Sequence, residues 1–147
     1  MDQLSLCCDR QAIVDLMSRE CPKGEAVEVG TYGGHFAKQI MASWPDLSRL
    51  YCIDPWEGHE DQYRQVLSDF AALQQVEIIR EWSNRACQMF PDCSLDFVYI
   101  DADHSYAAAS DDLRCWYPKV KIGGVLAGHD YALGPEGTYC VKKAVDE

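Results

Sequence analysis

LDFVYIDADHSY, residues 95–106, is the stretch that decides the fold. Residues 95–100 are a short run of mostly apolar, β-branched and aromatic side chains, which is typical of a strand buried on both faces. Asp101, Asp103 and His104 follow within four positions. Carboxylates and an imidazole at the carboxyl end of a buried strand predict a ligand site above an open α/β sheet. A polar turn that only caps the next helix is the alternative, and this stretch alone leaves it open.

Outside this stretch the chain alternates predicted strands with predicted helices. The further strands are predicted at 26–30, 49–54, 76–81 and 125–131, and the helices at 9–20, within 31–44, and at 60–73, 83–90, 106–117 and 137–147. Strands this rich in apolar residues predict an α/β fold: a single doubly wound, Rossmann-like, mostly parallel sheet with helices on both faces. No repeat or linker interrupts the pattern, so residues 1–147 are predicted to form one domain.

Composition narrows the class of protein. The formal net charge of −11 disfavours binding to nucleic acid or to an anionic membrane, since both need a basic surface. No segment has the apolar length of a membrane span, and the first ten residues do not resemble a signal peptide. The eight cysteines include no CxxC pair, and Cys52, Cys87 and Cys115 lie in apolar periodic segments. We therefore expect reduced thiols in a cytoplasmic protein.

Acidic residues recur where the predicted strands end. Asp54, Glu81, Asp101 and Asp130 each close one strand. One acid at such a position commonly caps the following helix, whereas four in a parallel sheet would meet at a single edge. The pattern favours a shared ligand crevice over chance capping.

A glycine turn follows the first predicted strand, in EVGTYGG at 28–34. Gly30 permits a sharp bend, and Gly33 or Gly34 lets a ligand approach the backbone closely. The dinucleotide pattern GxGxxG is absent, and no P-loop lysine follows the turn. Asp54 lies 24 positions after Gly30, where an acid can accept hydrogen bonds from both hydroxyls of a ribose. The combination predicts an adenosine-containing ligand such as S-adenosylmethionine.

Four motifs in this order resemble the class I S-adenosylmethionine-dependent methyltransferases, and more narrowly the macrocin O-methyltransferase-like enzymes that act on small molecules. The motifs are VEVGTYGGHF (27–36), YCIDPW (51–56), DFVYIDADHSY (96–106) and GGVLAGHDY (123–131). Together they span about 100 residues. The family's sheet continues with two further strands, and the resemblance therefore implies that this chain lacks them.

The resemblance implies roles for residues around the cofactor. Glu28, Gly30 and Gly34 would shape the pocket for its methionine end, and Asp54 would hold the ribose. Asp101 would complete this pocket.

The adenine end of the cofactor is assigned in the same way. Trp82 and Ser83 would lie beside the adenine. A tryptophan at this position is equally consistent with a core residue, so the two interpretations of Trp82 stay open.

The resemblance also implies catalytic and metal-binding residues. Asp101, His129 and Asp130 would bind a divalent cation, Mg²⁺ or Mn²⁺, and His104 would be the general base. An imidazole at 129 suits Mn²⁺, Fe²⁺ or Zn²⁺ better than Mg²⁺. His129 could instead face the substrate or support a ligand residue without touching an ion.

These observations predict an enzyme that transfers a methyl group to a hydroxyl of a small molecule, for instance a sugar. His104 is suited to accept the proton near neutral pH. Two alternatives remain: a non-catalytic or truncated cofactor-binding domain, and an oxidoreductase with a non-standard nucleotide turn. The predicted partner is a small-molecule acceptor, and the sequence leaves a homo-oligomer open.

Overall fold

The fold is a five-stranded parallel sheet with helices on both faces. The computed structural model describes residues 9–131 and 140–147. The strands are β1 Glu25–Val29, β2 Arg49–Asp54, β3 Val76–Arg80, β4 Leu95–Ile100 and β5 Val120–Gly128. The helices are α1 Arg10–Glu20, α2 His35–Ser43, α3 Glu60–Phe70, α4 Ser83–Ala86, α5 Tyr106–Trp116 and α6 Val141–Asp146, with 3₁₀ turns at Cys87–Met89 and Tyr117–Lys119. Over these described ranges, none of the helices has the length and apolar character to span a bilayer.

Strand order defines where a ligand can bind. The order is β3-β2-β1-β4-β5, and every neighbouring pair is parallel. The chain winds outward in one direction from β1 to β3 and then crosses back to β4. The switch point lies between β1 and β4, and ligands of open α/β sheets bind above the carboxyl ends of the strands at such a point. This topology confirms the predicted doubly wound fold.

Side chains alternate between two apolar layers along the buried strands. In β1, Ala26 joins the layer under α1, α2 and α3, while Val27 and Val29 join the layer under α4 and α5. Trp44 and Trp116, both fully buried, anchor the first and second layers respectively. Because both faces of the sheet are covered, the central strands β1 and β4 carry apolar residues on both sides.

Asp9 and Ser105 provide side-chain caps at the starts of α1 and α5. Asp9 caps α1, and its carboxylate accepts a hydrogen bond of 3.0 Å from the backbone N–H of Gln11. Ser105, rather than Asp103, is the N-cap of α5. Asp103 instead accepts a hydrogen bond of 2.8 Å from the Ser105 N–H and so shapes the turn before the helix.

The position of β5 differs from the predicted strand at 125–131. It begins at Val120 and ends at Gly128, with a register shift opposite β4. Leu95 pairs with Val120 and Phe97 with Val125, so a bulge absorbs the residues in between. Gly123 and Gly124 lie inside this bulge. As a result His129 and Asp130 follow the strand rather than belonging to it.

One pair of cysteines corrects the expectation of reduced thiols. Cys87 and Cys115 form a disulfide that links the turn after α4 to α5. Sequence separation of 28 residues gave no signal for this pairing, because it depends on how two helices pack on one face of the sheet. Cys7, Cys8 and the first part of the helix predicted from residue 137 lie outside the described residues.

Candidate functional site

The loops after four strands meet at the carboxyl edge of the sheet, because the strand ladder continues for a residue or two beyond the strands. The backbone N–H groups of Gly30 and Thr31 donate to the carbonyl of Ile53 at 2.8 and 3.1 Å. On the other side, the Asp101 N–H donates to the Val29 carbonyl at 2.8 Å. These bonds place the glycine turn between the ends of β2 and β4.

Gly30 is required by the backbone of Asp101. Its φ is +90°, and a Cβ at this position would lie 2.1 Å from the Asp101 carbonyl oxygen. No side chain could be accommodated unless the turn and the end of β4 moved apart.

Gly34 has a different structural reason. It adopts the left-handed conformation at the N-cap of α2, with φ +72°. A Cβ there would come within 3.1 Å of Phe70 and 3.2 Å of Val66, both on α3. Packing between α2 and α3 thus explains the glycine at position 34. Its role in the cofactor pocket stays a prediction.

Asp54 joins the loop after β1 to the loop after β2. One carboxylate oxygen accepts a hydrogen bond of 2.9 Å from the N–H of Tyr32, and the other accepts one of 2.7 Å from the N–H of Trp56. The Trp56 indole N–H donates in turn to the Tyr32 carbonyl at 2.7 Å. Each oxygen of Asp54 keeps a second acceptor direction, so the carboxylate could still hold a ribose hydroxyl.

Glu28 is a buried acid whose charge is not compensated. Its side chain lies in β1 with 3% exposure, and Oε2 has no hydrogen-bond partner among the described residues. Burial raises the pKa of Glu28 to about 8, while a hydrogen bond with Thr31 lowers it in part. The carboxyl is therefore mainly protonated at neutral pH.

The residues predicted beside the adenine differ in their contacts. Trp82 is 51% exposed, so it is not a core residue. The hydroxyl of Ser83 donates to the carboxylate of Asp112 and accepts a hydrogen bond of 2.9 Å from the indole N–H of Trp116. Burial raises the pKa of Asp112. The Ser83 hydroxyl therefore joins α4 to α5. The backbone of Ser83 remains available for a contact with a ligand.

Two histidines and two carboxylates converge after β4 and β5. His104 Nε2 lies 3.3 Å from Asp101 Oδ1 and 3.3 Å from Asp130 Oδ2. His129 Nδ1 lies 3.0 Å from Asp130 Oδ1 and 3.6 Å from Asp101 Oδ1. The four residues predicted to be the base and the metal ligands therefore do come together, while their roles stay predictions.

Arg10 belongs to the same cluster and was not identified from the sequence. Its guanidinium donates to Asp101 Oδ2 at 2.7 Å. The guanidinium carbon also lies 5.3 Å from the ring centre of Phe36 and 5.5 Å from that of Tyr99, within the range of cation–π attraction. The sequence did carry a signal for Arg10. A cation in the first turn of a helix interacts unfavourably with the helix dipole, so an arginine there is expected to pair with an acidic group elsewhere.

The donor set is a poor match for the predicted Mg²⁺. The potential ligand atoms of Asp101, His104 and His129 all lie within 4.8 Å of one another, so this group contains His104 in place of the predicted Asp130. Two of these three ligands would be imidazole nitrogens, whereas Mg²⁺ is bound through oxygen. The one carboxylate in the group already carries the guanidinium of Arg10 on Oδ2. The residues present do not fit Mg²⁺, and an ion that accepts nitrogen would still share Asp101 with a cation.

Comparison with known proteins assigns the class. Residues 27–131 match the family described as "Methyltransferase domain", and the chain belongs to that family. A protein of Sinorhizobium fredii named "Uncharacterized protein y4gI" is 25% identical over 122 residues. That match covers 76% of this chain but 13% of the relative, so the chain corresponds to a small part of the longer protein.

Solved methyltransferase structures share the fold. A precorrin-6y C5,15-methyltransferase from Geobacter metallireducens has a TM-score of 0.70 at 15% identity, covering 99% of this chain and 71% of that one. A provisionally named caffeoyl-CoA O-methyltransferase from Staphylococcus aureus has a TM-score of 0.69 at 18% identity, with the same coverage. A methyltransferase from Podospora anserina bound to S-adenosylhomocysteine has a TM-score of 0.68 at 11% identity, covering 83% and 52%. The predicted class I methyltransferase fold is confirmed.

Replacing Gly30 by Ala tests the close approach to Asp101. Gly58 is the matched control, since it also has positive φ, +74°, but no atom of the described residues lies within 4 Å of where its Cβ would stand. We expect Gly58→Ala to cost about 1–2 kcal/mol of unfolding free energy for the left-handed backbone alone. Gly30→Ala should cost clearly more in urea denaturation, because the turn must also move away from β4. Equal losses in the two variants would contradict this assignment.

The protonated state of Glu28 predicts a pH-dependent stability. Its pKa is about 8 in the folded chain against an ordinary 4.5, so the folded state binds the extra proton between these values. The wild type should therefore lose stability relative to Glu28→Gln as pH rises from 5 to 8, by at most about 1.4 kcal/mol per pH unit. Urea denaturation at each pH measures the difference between the two proteins. A difference that does not change with pH would show that Glu28 is ionised when folded.

Proposed function

We propose that this chain is an S-adenosylmethionine-dependent O-methyltransferase that acts on a hydroxyl of a small molecule, for instance a sugar, within the macrocin O-methyltransferase-like group. The observation that carries the proposal is the pairing of His104 with Asp101, 3.3 Å apart, at the switch point beside the glycine turn. The family match supports methyl transfer as the reaction class. The Podospora neighbour bound to S-adenosylhomocysteine and the Staphylococcus neighbour named for O-methylation support the cofactor and the acceptor atom.

The buried carboxyl of Glu28 suits the methionine end of the cofactor. An unpaired polar atom in an apolar layer is destabilising, and a ligand that donates a hydrogen bond would relieve it. The ammonium group of a bound amino acid is such a donor, and its charge would favour the ionised carboxylate. Gly30, two residues further on, allows the end of β4 to lie close to this carboxyl, because its hydrogen leaves room for the Asp101 carbonyl oxygen.

The other predicted contacts hold the nucleoside. Asp54 offers its remaining acceptor directions to the ribose hydroxyls, and its two backbone hydrogen bonds fix the carboxylate in place. Trp82 is half exposed after β3, which leaves ring surface on which an adenine could stack. The backbone of Ser83 would complete the adenine end.

Methyl transfer requires that the acceptor hydroxyl lose its proton. The cofactor supplies an electrophilic methyl group on sulfonium; a new C–O bond forms as the C–S bond breaks. His104 accepts the proton of the hydroxyl, and the carboxylates of Asp101 and Asp130 stabilise the imidazolium that results, since each lies 3.3 Å from Nε2. Positioning and proton removal are the contributions of the protein to this reaction.

The predicted cation at Asp101, His129 and Asp130 is left out of this mechanism, because Oδ2 of Asp101 already pairs with the guanidinium of Arg10. His129 would also offer nitrogen, whereas Mg²⁺ prefers oxygen. A non-catalytic cofactor-binding domain remains the second candidate, since the chain matches only 13% of the length of its Sinorhizobium relative. The two candidates agree on cofactor binding and differ in turnover. The small-molecule acceptor and the homo-oligomer remain proposals.

Calorimetric titration with S-adenosylmethionine tests the cofactor. We expect micromolar binding by the wild type, and at least tenfold weaker binding by Asp54→Ala, which loses a charged hydrogen-bond acceptor for the ribose. Asp61→Ala is the control, because that carboxylate is almost fully exposed on α3. Absence of binding by the folded wild type would reject the proposal.

Replacing His104 by Gln tests the base. The variant should bind S-adenosylmethionine as the wild type does and lose about 100-fold or more in turnover, which is the usual contribution of a general base. Transfer of labelled methyl to a panel of monosaccharides and catechols gives the rate, and the unchanged cofactor affinity is the internal control. Undiminished turnover would place the base elsewhere, and binding without any transfer by the wild type would favour the non-catalytic domain.

A further inference from the structure

The carboxylate of Asp101 has its partners within the chain itself. Asp101 and Asp130 supply two carboxylates, and Arg10, His104 and His129 are the cationic or potentially cationic partners around them. The guanidinium occupies Oδ2 of Asp101 at 2.7 Å, and the two imidazoles face Oδ1 at 3.3 and 3.6 Å. Both oxygens of this carboxylate therefore have cationic or hydrogen-bonding partners from the chain.

We propose that Arg10 is the resident cation of this site: it takes the place on Asp101 that a divalent ion would otherwise fill, and it positions Asp101 against His104. Arg10 is thus a positioning residue. For its effect on turnover this inference rests on the proposed methyl transfer, whereas its effect on metal binding does not depend on any activity.

The surroundings of Arg10 hold the guanidinium in one position. The rings of Phe36 and Tyr99 lie 5.3 and 5.5 Å from its central carbon, and the fork of N–H groups makes a charge-assisted bond to the carboxylate. A planar guanidinium fits such a site better than a flexible ammonium does. The side chain is one-third exposed, so the contact lies at the rim of the edge, where a ligand could reach Asp101.

Helix α1 is fixed in a way that presents Arg10 to the site. Gln11, the next residue, donates to the hydroxyl of Ser43 at 2.7 Å and accepts from the side chain of Gln39 at 2.8 Å. Both partners lie at α2, which begins at the glycine turn. These two hydrogen bonds therefore fix the first turn of α1 to α2, the helix that begins at the glycine turn.

The histidine nitrogens that face the carboxylates are already in contact with them. His104 Nε2 and His129 Nδ1 both contact carboxylate oxygens of Asp101 and Asp130. Binding an ion would require these contacts to open and would bring a second cation to a carboxylate that Arg10 already neutralises. Like-charge repulsion and the lost hydrogen bonds both oppose it.

The test compares Mn²⁺ binding by the full chain and three variants, using electron paramagnetic resonance of the free ion. Mn²⁺ is the probe because it accepts both imidazole and carboxylate ligands. We expect weak binding by the wild type and by Arg10→Lys, and roughly tenfold or tighter binding by Arg10→Met, which frees Oδ2 and removes the repulsion. Arg19→Met is the matched control: it removes the same charge from an exposed position of the same helix and should bind as the wild type does.

Turnover supplies the second readout. Wild-type methyl transfer should withstand EDTA, and Arg10→Met should lose activity that Mn²⁺ partly restores, while Arg10→Lys keeps most of it.

Tight Mn²⁺ binding by the wild type, or no gain in Arg10→Met, would overturn the inference whether or not methyl transfer occurs. If Arg10→Met fails to fold by circular dichroism, the wild type and Arg10→Lys decide, since tight binding by either contradicts a resident cation. Failure of S-adenosylmethionine to bind would reject the proposed function and leave the metal result standing.

Discussion

The contact between Gly30 and the backbone of Asp101 fixes how closely the first and fourth strands approach at the ligand edge. The Asp101 N–H bonds to Val29, its carbonyl lies where a Cβ of residue 30 would stand, and its carboxylate bonds to Arg10 and His104. Backbone and side chain of one residue therefore join the central strand, α1 and the proposed base. A change at this contact would disturb the glycine turn and the histidine cluster together.

Two acids at this edge have opposite electrostatic environments. Glu28 is buried without a partner for Oε2 in the described part of the chain, and burial raises its pKa to about 8 although Arg10 acts in the opposite direction. Asp101, one strand away, is surrounded by a guanidinium and two imidazoles. The buried acid gains from a ligand that brings positive charge, whereas the compensated acid does not. This difference favours a cationic group of the cofactor on the Glu28 side and argues against an added metal ion on the Asp101 side.

The sequence was sufficient for features that depend on local pattern. Buried parallel strands are apolar throughout, so β2 and β4 have the bounds expected from their residue types. Asp101 and His104 were expected together at the end of one strand, and their side chains lie 3.3 Å apart. The disulfide between Cys87 and Cys115 and the bulge that shifts β5 were missed, because each depends on packing between segments distant in sequence. The resemblance brought Asp130 to the site, but its contact with both imidazoles follows from where β5 ends.

Arg10 shows why family resemblance and site geometry give different information here. The family match covers residues 27–131, and Arg10 lies before this segment, on α1. The strand-end motifs do not indicate that this helix contributes to the site. Within the matched region the cluster has two carboxylates and two imidazoles, which alone would leave a cation site open to an ion. The guanidinium of Arg10, on α1, compensates the charge of the Asp101 carboxylate. With the role proposed for Arg10, the metal requirement of this methyltransferase domain depends on a residue outside the segment that matches the family.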